Sequence, residues 1–309
     1  MILVEWLKRL GRLFRKRRSK VGVYAAEPLP PTVMLPGGRV LTNFNAANVH
    51  DRDYEIVYDK KDECYRYYGI RLTRVREFVD RSFEPFDEVG QAYRVAKKRG
   101  LDVMELRDRW FAIGEEARQA GALLHRCLEG IFMNKPESVP SSFEFYDRRK
   151  HTKRVVSLIN EINQLTRFRN ESGLIPYRTL WLVYDNEACL ITRLDLVARD
   201  VEGRWILVDL VRSDKLGFED NGTFCLSAAR NYGRGRGYLK EVPDGEYDRS
   251  SLSLAVGAKI LRKYYDIKVA RTCLLIVHSS FTTYHLIDSE SYDSESDSII
   301  YEAYAAFRP

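Results

Sequence analysis

"RWILVDLVRSDKL", residues 204–216, has the alternation of a half-buried strand with an acid set into it. Trp205, Leu207, Asp209 and Val211 fall on one face at period two, while Ile206, Val208 and Leu210 fall on the other. A carboxylate on such a strand must be paired, protonated or bound to a cation, because burying it bare is costly. The question is therefore what faces Asp209.

The preceding segments supply the answer. "YRTLWLVYD" (177–185) and "ACLITRLDLVARD" (188–200) have the same period and are separated by turn-forming Asp185-Asn186 and Glu202-Gly203. A three-residue turn around "VEG" pairs residues whose numbers sum to 404, which sets Asp195 directly across from Asp209 and Arg193 across from Val211. A two-residue turn would send the two acids to opposite faces. Facing carboxylates repel unless a cation or a proton lies between them.

A third group comes from the helix predicted upstream. "GALLHRCLEGIF" (121–132) lines Gly121, His125 and Glu129 along one stripe at i, i+4, i+8, with Leu124, Leu128 and Ile131 as the neighbouring apolar stripe. Taken alone, His125 and Glu129 read first as a polar pair at a core edge. With Asp195 and Asp209 they make a metal set, His125, Glu129, Asp195 and Asp209, and oxygen ligands with one imidazole suit Mg²⁺ or Mn²⁺ better than zinc.

Around this core the pattern is α/β. Short strand-like pieces fill Thr42 to Thr73. Helices are expected from about Phe86 to Lys98, from Asp102 (an N-cap with Glu105 three residues on) to about Met133, and over "HTKRVVSLINEINQLTRF" (151–168). After an irregular stretch from Asp214 to Ser250 come a helix from Leu252 to Tyr265, two strands over "TCLLIVHSS" and "TTYHLID", and a last helix from Ser298 to Phe307. The acidic run "DSESYDSESD" (288–297) reads as a solvated loop. The expected organisation is a basic amphipathic leader helix over 1–28, a Pro/Gly linker over 29–41, and one domain over 42–309 with a mixed central sheet flanked by helices.

Charge and cysteine usage narrow the function classes. The net charge of +6 is concentrated in residues 1–20, whose eight Lys/Arg and one Glu leave the rest of the chain near −1. A broadly nucleic-acid-coating surface is thereby excluded. In the leader Leu3, Trp6, Leu7, Leu10, Leu13 and Phe14 share a helical face, which suits an anionic membrane surface, a protein partner or simple packing on the domain. No apolar run is long enough to span a bilayer. Five scattered cysteines without a C-x-x-C pair argue against a zinc knuckle or disulfide framework and for a reducing, intracellular compartment. "NYGRGRGYLKEVP" (231–243) interleaves Arg234 and Arg236 with Tyr232 and Tyr238, groups suited to contacts with single-stranded nucleic acid, or else a plain loop.

The order of these motifs resembles the PD-(D/E)XK nuclease superfamily, most nearly the branch with the nuclease domains of recombination helicase-nucleases. A helix with G-x-x-x-H-x-x-x-E precedes a strand with Leu194-Asp195 and a strand with Val208-Asp209. Weaker similarity extends to "RLTRVREFVDRSFEPFD" (71–87) and "LRKYYDIKVARTCLLIVH" (261–278), so the likeness covers roughly Arg71 to Phe307. It implies a restriction-endonuclease-like fold and metal-dependent cleavage of DNA, on single strands or ends. It makes His125 a metal ligand, Glu129 a ligand or orienter, Asp195 the central ligand and Asp209 the second acid. The chain departs from the pattern at the lysine, which is Val211, and at the following helix, where Gln and Tyr become Ser253 and Gly257. It departs too at an upstream acid (Leu180) and at the glycine before the aspartate strand (Thr192). Arg193 is the residue placed to replace the lysine's charge, with Lys215 and Lys259 as others. Arginine can stabilise a developing phosphorane charge but does not act as a base. The expectation is a metal-dependent nuclease of weakened activity; the alternative is an inactive descendant that binds nucleic acid or protein.

Overall fold

The computed structural model describes residues 31–214, 216, 224–225 and 233–307. The leader helix expected over 1–28, Lys215 and Tyr232 lie outside the described residues.

The central sheet is mixed and has helices on both faces. Its strands are β3 (Ile56–Asp59), β4 (Cys64–Tyr67), β5 (Ile70–Arg74), β8 (Ile175–Asp185), β9 (Leu190–Arg199), β10 (Trp205–Arg212), β11 (Val269–Val277) and β12 (His285–Asp288). They run in the order β12-β11-β10-β9-β5-β4-β3, with β8 along the other edge of β9. Strands β10 and β11 are parallel, as are β5 and β9; the other pairs are antiparallel. Helices α2 (Val75–Asp80), α6 (Glu246–Tyr264) and α7 (Asp293–Phe307) cover one face, and α4 (Val103–Phe132) and α5 (Ile159–Glu171) cover the other. Helix α3 (Glu88–Arg99) packs on α4.

Period two along β10 sorts the two cores. Leu207 and Val211 join Leu274 and Ile276 under α6, whereas Val208 and Leu210 join Leu275 and Val277 under α4. Asp102 caps α4 by accepting the N–H of Glu105 at 2.8 Å, the expected start.

Several elements differ from expectation. From Thr32 onward the expected linker is a hairpin, β1 (Thr32–Met34) with β2 (Val40–Thr42), whose Leu35 and Leu41 are buried against α1 (Asn43–Ala47). The first half of "HTKRVVSLINEINQLTRF" is strand β7 (Thr152–Ser157), paired with β6 (Ser142–Asp147); only Ile159 onward is helical. The consecutive β-branched Val155-Val156 favour the extended form once a partner strand is present. Helix α6 starts at Glu246, six residues before the expected Leu252, and buries Tyr247, Asp248 and Ser250 in its first turns. The acidic run is not a solvated loop throughout: α7 begins at Asp293 and buries Ser296. Helix formation there is favoured by acids at an N-terminus.

A buried ion pair fixes the start of β8. Asp53 accepts from Arg178 Nη1 at 2.7 Å, from Trp181 Nε1 at 2.9 Å and from the His50 N–H at 3.0 Å, and both charged side chains are 1% exposed or less. The charges are tolerated because each carboxylate oxygen has a donor.

Candidate functional site

One edge of β9 is divided between two partners. Residues Leu196–Arg199 pair with β10, and Leu190–Ile191 pair with β5, so the edge from Thr192 to Asp195 lies in a fork between them. The turn between β9 and β10 has the three-residue form: pairs sum to 404 down to Val208↔Leu196, and Asp200 N–H closes on the Arg204 carbonyl at 3.0 Å. Gly203 sits there at φ 78°, a left-handed conformation that glycine adopts without Cβ strain. The next pair would be Asp195 with Asp209. The ladder stops before it, and the Asp195 side chain takes a donor from β10 instead.

On β9 the alternation slips at the same place. Leu194 packs in the α6 core but Leu196 packs in the α4 core, so Asp195 lies at a change of phase. Across from it on β8 the register passes from Thr179↔Leu196 to Trp181↔Leu194, and the residue between, Leu180, has φ 47°. A left-handed leucine is a strained conformation, of the kind found at ligand-holding sites.

The fork opens as a cleft of about 540 Å³, lined among others by Arg76, Gly121, His125, Arg193, Asp195 and Asp209. Asp195 is buried, 2% exposed. Its Oδ2 accepts the Leu210 N–H at 3.0 Å and lies 3.0 Å from His125 Nδ1. That nitrogen is buried and, despite the short approach to Asp195, has no aligned hydrogen-bond partner. Arg193 Nε stands 3.4 Å from Asp195 Oδ1, with its side chain 45% exposed.

The two carboxyls line the same cleft, and their surroundings push their pKa values apart. Burial tends to raise the Asp195 pKa, but the charges of His125 and Arg193 and the bond from Asp209 outweigh it and hold it at about 2. Burial pushes Asp209 well above the usual carboxylate range, and the negative charge of Asp195 adds to that push. Of the two acids, Asp209 is therefore the one that holds a proton more readily.

Glu129 is brought to the same helix stripe but not into the cleft. Its Oε1 accepts from Asn45 Nδ2 at 2.9 Å and from Thr179 Oγ1 at 3.3 Å, and burial raises its pKa against those bonds. Val211 is buried in the α6 core and lines the cleft. Lys259 pairs with Asp297 at 2.6 Å, outside the cleft lining. Of the glycine-arginine segment, Arg234 bonds the Glu241 carbonyl at 2.8 Å, Arg236 pairs with Glu84 at 2.9 Å, and Tyr238 Oη meets Ser82 Oγ at 3.2 Å. None of these three lines the cleft. Among the described residues no group of three or more His, Cys, Asp or Glu side chains is arranged to hold a metal ion.

Arg76, at the start of α2, is a residue that sequence reasoning missed. It bonds Asp80 at 3.1 Å and Ser250 Oγ at 3.3 Å, and its charge acts on Asp209. The readable signal was the strand-to-helix junction "TRVREF"; what was not readable is that β5 docks on β9, which carries that junction to the acids. Ser253 Oγ bonds back to the Arg249 carbonyl at 2.9 Å, and a Cβ on Gly257 would come within 2.8 Å of Leu194 Cδ2. The four cysteines at 64, 127, 189 and 273 are buried and Cys225 is half-buried, all unbridged.

No family model matches the chain, and no curated protein matches it. A solved structure, the crystal structure of SSO0001, is similar at 9% identity with a TM-score of 0.25, over 49% of this chain and 61% of that one. The chain thus spans less than two thirds of that structure's length, and a likeness of this size carries no argument. The described helices include none long and apolar enough to cross a membrane.

Proposed function

We propose that the fork is a phosphodiester site of PD-(D/E)XK type, which takes up a divalent cation in exchange for the proton held by Asp209 and acts on DNA with weakened hydrolytic power. The observation that supports this most is the pair itself: two acids lining one gap of the sheet beside His125 and Arg193. The fit with Mg²⁺ or Mn²⁺ rests on His125 Nδ1, a buried nitrogen beside Asp195 with no aligned partner. Asp195, Asp209 and His125, which do not form a metal-holding group as they stand, are the residues that would have to close on the ion once Asp209 gives up its proton; Glu129, engaged by Asn45 and Thr179, would orient rather than bind. A divalent ion there supplies polarisation of the phosphodiester and a more acidic attacking water.

The chain's own groups carry the rest. The Leu210 N–H holds the Asp195 carboxylate in place. Arg193 and Arg76 bring positive charge to the non-bridging oxygens, the role left open by Val211. The departures at Val211, Ser253 and Gly257 favour a second reading, a binding module that has kept the acids without turnover. Calorimetry with Mn²⁺ on the natural chain, Asp195→Asn and Asp209→Asn, together with cleavage of labelled single- and double-stranded DNA, separates them. Saturable Mn²⁺ binding that both variants lose, with metal-dependent cleavage, supports hydrolysis. Binding without cleavage supports the module, and no Mn²⁺ binding ends the metal reading.

A further inference from the structure

The β6–β7 hairpin is strongly basic in a body that is not. Residues 142–157 carry Arg148, Arg149, Lys150, Lys153 and Arg154 against Glu144 and Asp147, a net of +3, whereas the whole chain after residue 20 sums to near −1. Its pairs run from Ser142↔Ser157 to Asp147↔Thr152 and make a two-stranded ribbon outside the central sheet. The tip, Arg148-Arg149-Lys150-His151, is exposed at every residue. Asp147 shapes it by accepting the N–H of Arg149 at 3.0 Å and of Lys150 at 3.1 Å.

The five cations divide into those that fasten the ribbon and those that do not. Arg149 donates to Asp108 at 2.7 Å and lies over the Phe111 ring at 5.0 Å, and Arg154 pairs with Glu116, so both tie the ribbon to α4. Lys153 pairs with Glu144 across the ribbon at 2.8 Å, an exposed contact of little strength. Arg148 and Lys150 make no ion pair with the described residues. The fastening sets where the tip stands. Phe111 and Glu116 also line a depression that shares Ala117, Arg212 and Glu246 with the cleft. Asp108, held by the tip, and His125, in the cleft, lie about 25 Å apart along α4, the rise of about seven base pairs of duplex.

We propose that the β6–β7 hairpin holds the flank of a duplex nucleic acid that enters the cleft, with Arg148 and Lys150 on phosphates about seven base pairs from the acids. The choice of a nucleic acid rests on the phosphodiester reading of the fork; the choice of a duplex rests on the ribbon. A two-stranded ribbon fits the major groove, about 12 Å wide. The tip has no apolar residue to enter a membrane or to seat beside a peptide, and two adjacent cations on an exposed turn suit a regular array of phosphates. Such contacts position a duplex without reading its sequence. The contact surface then lies on the hairpin, not on the glycine-arginine segment at 231–243.

The test is equilibrium binding of a fluorescent duplex of about twenty base pairs, and of one of its strands, to the full chain in EDTA over a range of KCl concentrations. Each phosphate contact adds about 0.9 to the steepness of log affinity against log salt. Arg148→Gln combined with Lys150→Gln should therefore flatten the duplex slope by about 1.8 and weaken binding at low salt by on the order of tenfold. Arg262→Gln with Lys268→Gln removes the same charge from the α6 side of the sheet and should leave the slope unchanged. Residues 1–20 are common to all three proteins, so the difference isolates the hairpin. All four positions are exposed, and equal melting temperatures check that the variants fold. A slope unchanged by the hairpin pair, or changed as much by the control pair, overturns the proposal. So does an equal loss on the single strand, which would take the groove out of the account. Lost retention on anionic vesicles with duplex binding intact would give the hairpin to a membrane surface instead. Because EDTA suppresses hydrolysis, a chain that responds as expected yet takes up no Mn²⁺ keeps this inference and loses the catalytic one. A chain that cleaves with Mn²⁺ but keeps its slope does the reverse.

Discussion

Asp195 Oδ2 accepts the backbone N–H of Leu210 at 3.0 Å, so a side chain of β9 stands where the ladder between β9 and β10 would place a carbonyl. The fork is closed to further strand pairing by a carboxylate rather than by a backbone group. Removing the carboxylate would orphan a buried N–H, a loss of about 1–3 kcal/mol. Asp195→Asn, which keeps an acceptor, should be milder than Asp195→Ala, and chemical denaturation of the two measures the difference.

Stability against pH should reveal which acid holds the proton. Asp209 has a pKa raised above its unfolded value, so its neutral form stabilises the fold below about pH 4, and that stability is lost as pH rises toward the folded pKa. Asp195 is opposite in sign: its contribution is present above about pH 4 and fades as pH falls toward about 2. Asp209→Asn, which removes the ionisation, should raise the melting temperature at pH 7 and change it little near pH 4. A melting temperature that drops at pH 7 would contradict the assignment of the proton to Asp209.

Arg193→Ala separates electrostatic from ligand roles. Removing this charge takes away a group that competes with a cation for Asp195, so Mn²⁺ affinity should hold or rise. Cleavage, where present, should fall on the order of a hundredfold, as for the loss of one oxyanion-stabilising group. Val211→Lys returns an ammonium to the face of Asp209, but it also opens a position 6% exposed in the α6 core. Paired with Arg193→Thr it should raise cleavage relative to Arg193→Thr alone, at lower thermal stability. Rates and melting curves on the same preparations distinguish the two effects.

The Asp53–Arg178 pair should be the most sensitive electrostatic contact outside the cleft. Asp53→Ala leaves the Arg178 charge buried without its carboxylate and should destabilise the fold by about 3–5 kcal/mol, read by urea unfolding. Exposed pairs such as Arg167–Glu171 should change stability little when broken.

Deleting residues 1–20 should leave the melting temperature nearly unchanged while reducing retention on anionic vesicles and on non-specific DNA, since most of the chain's positive excess lies there. A large fall in melting temperature would instead make that segment part of the domain core.

The strands around Asp209 were legible because two-sided burial writes a period of two into the residues, and the turn chemistry of Glu202-Gly203 fixed the register that sets Asp195 against it. The helix stripe of His125 was legible for the same reason at period 3.6. What escaped was long-range. Arg76 reaches the acids through two residue pairs between β5 and β9, more than a hundred residues apart in the chain. Glu129 is withdrawn by Asn45, on a short helix whose docking no local pattern encodes. At residues 152–157 the apolar spacing fitted a helix, and pairing with β6 decided for a strand.

Gly257 has a consequence for any redesign of the cleft. Its missing Cβ lets α6 settle until the glycine position lies within contact range of Leu194 and Thr192 on β9. An aromatic side chain has no room there unless the helix lifts, and forcing one in should cost about 1–3 kcal/mol. Lifting the helix would in turn loosen Val211 and the packing beneath Asp209. Under the proposed phosphodiester reading, a lysine at 211 and a tyrosine at 257 are therefore not independent substitutions: introducing either is first a question of how far apart helix and sheet stand.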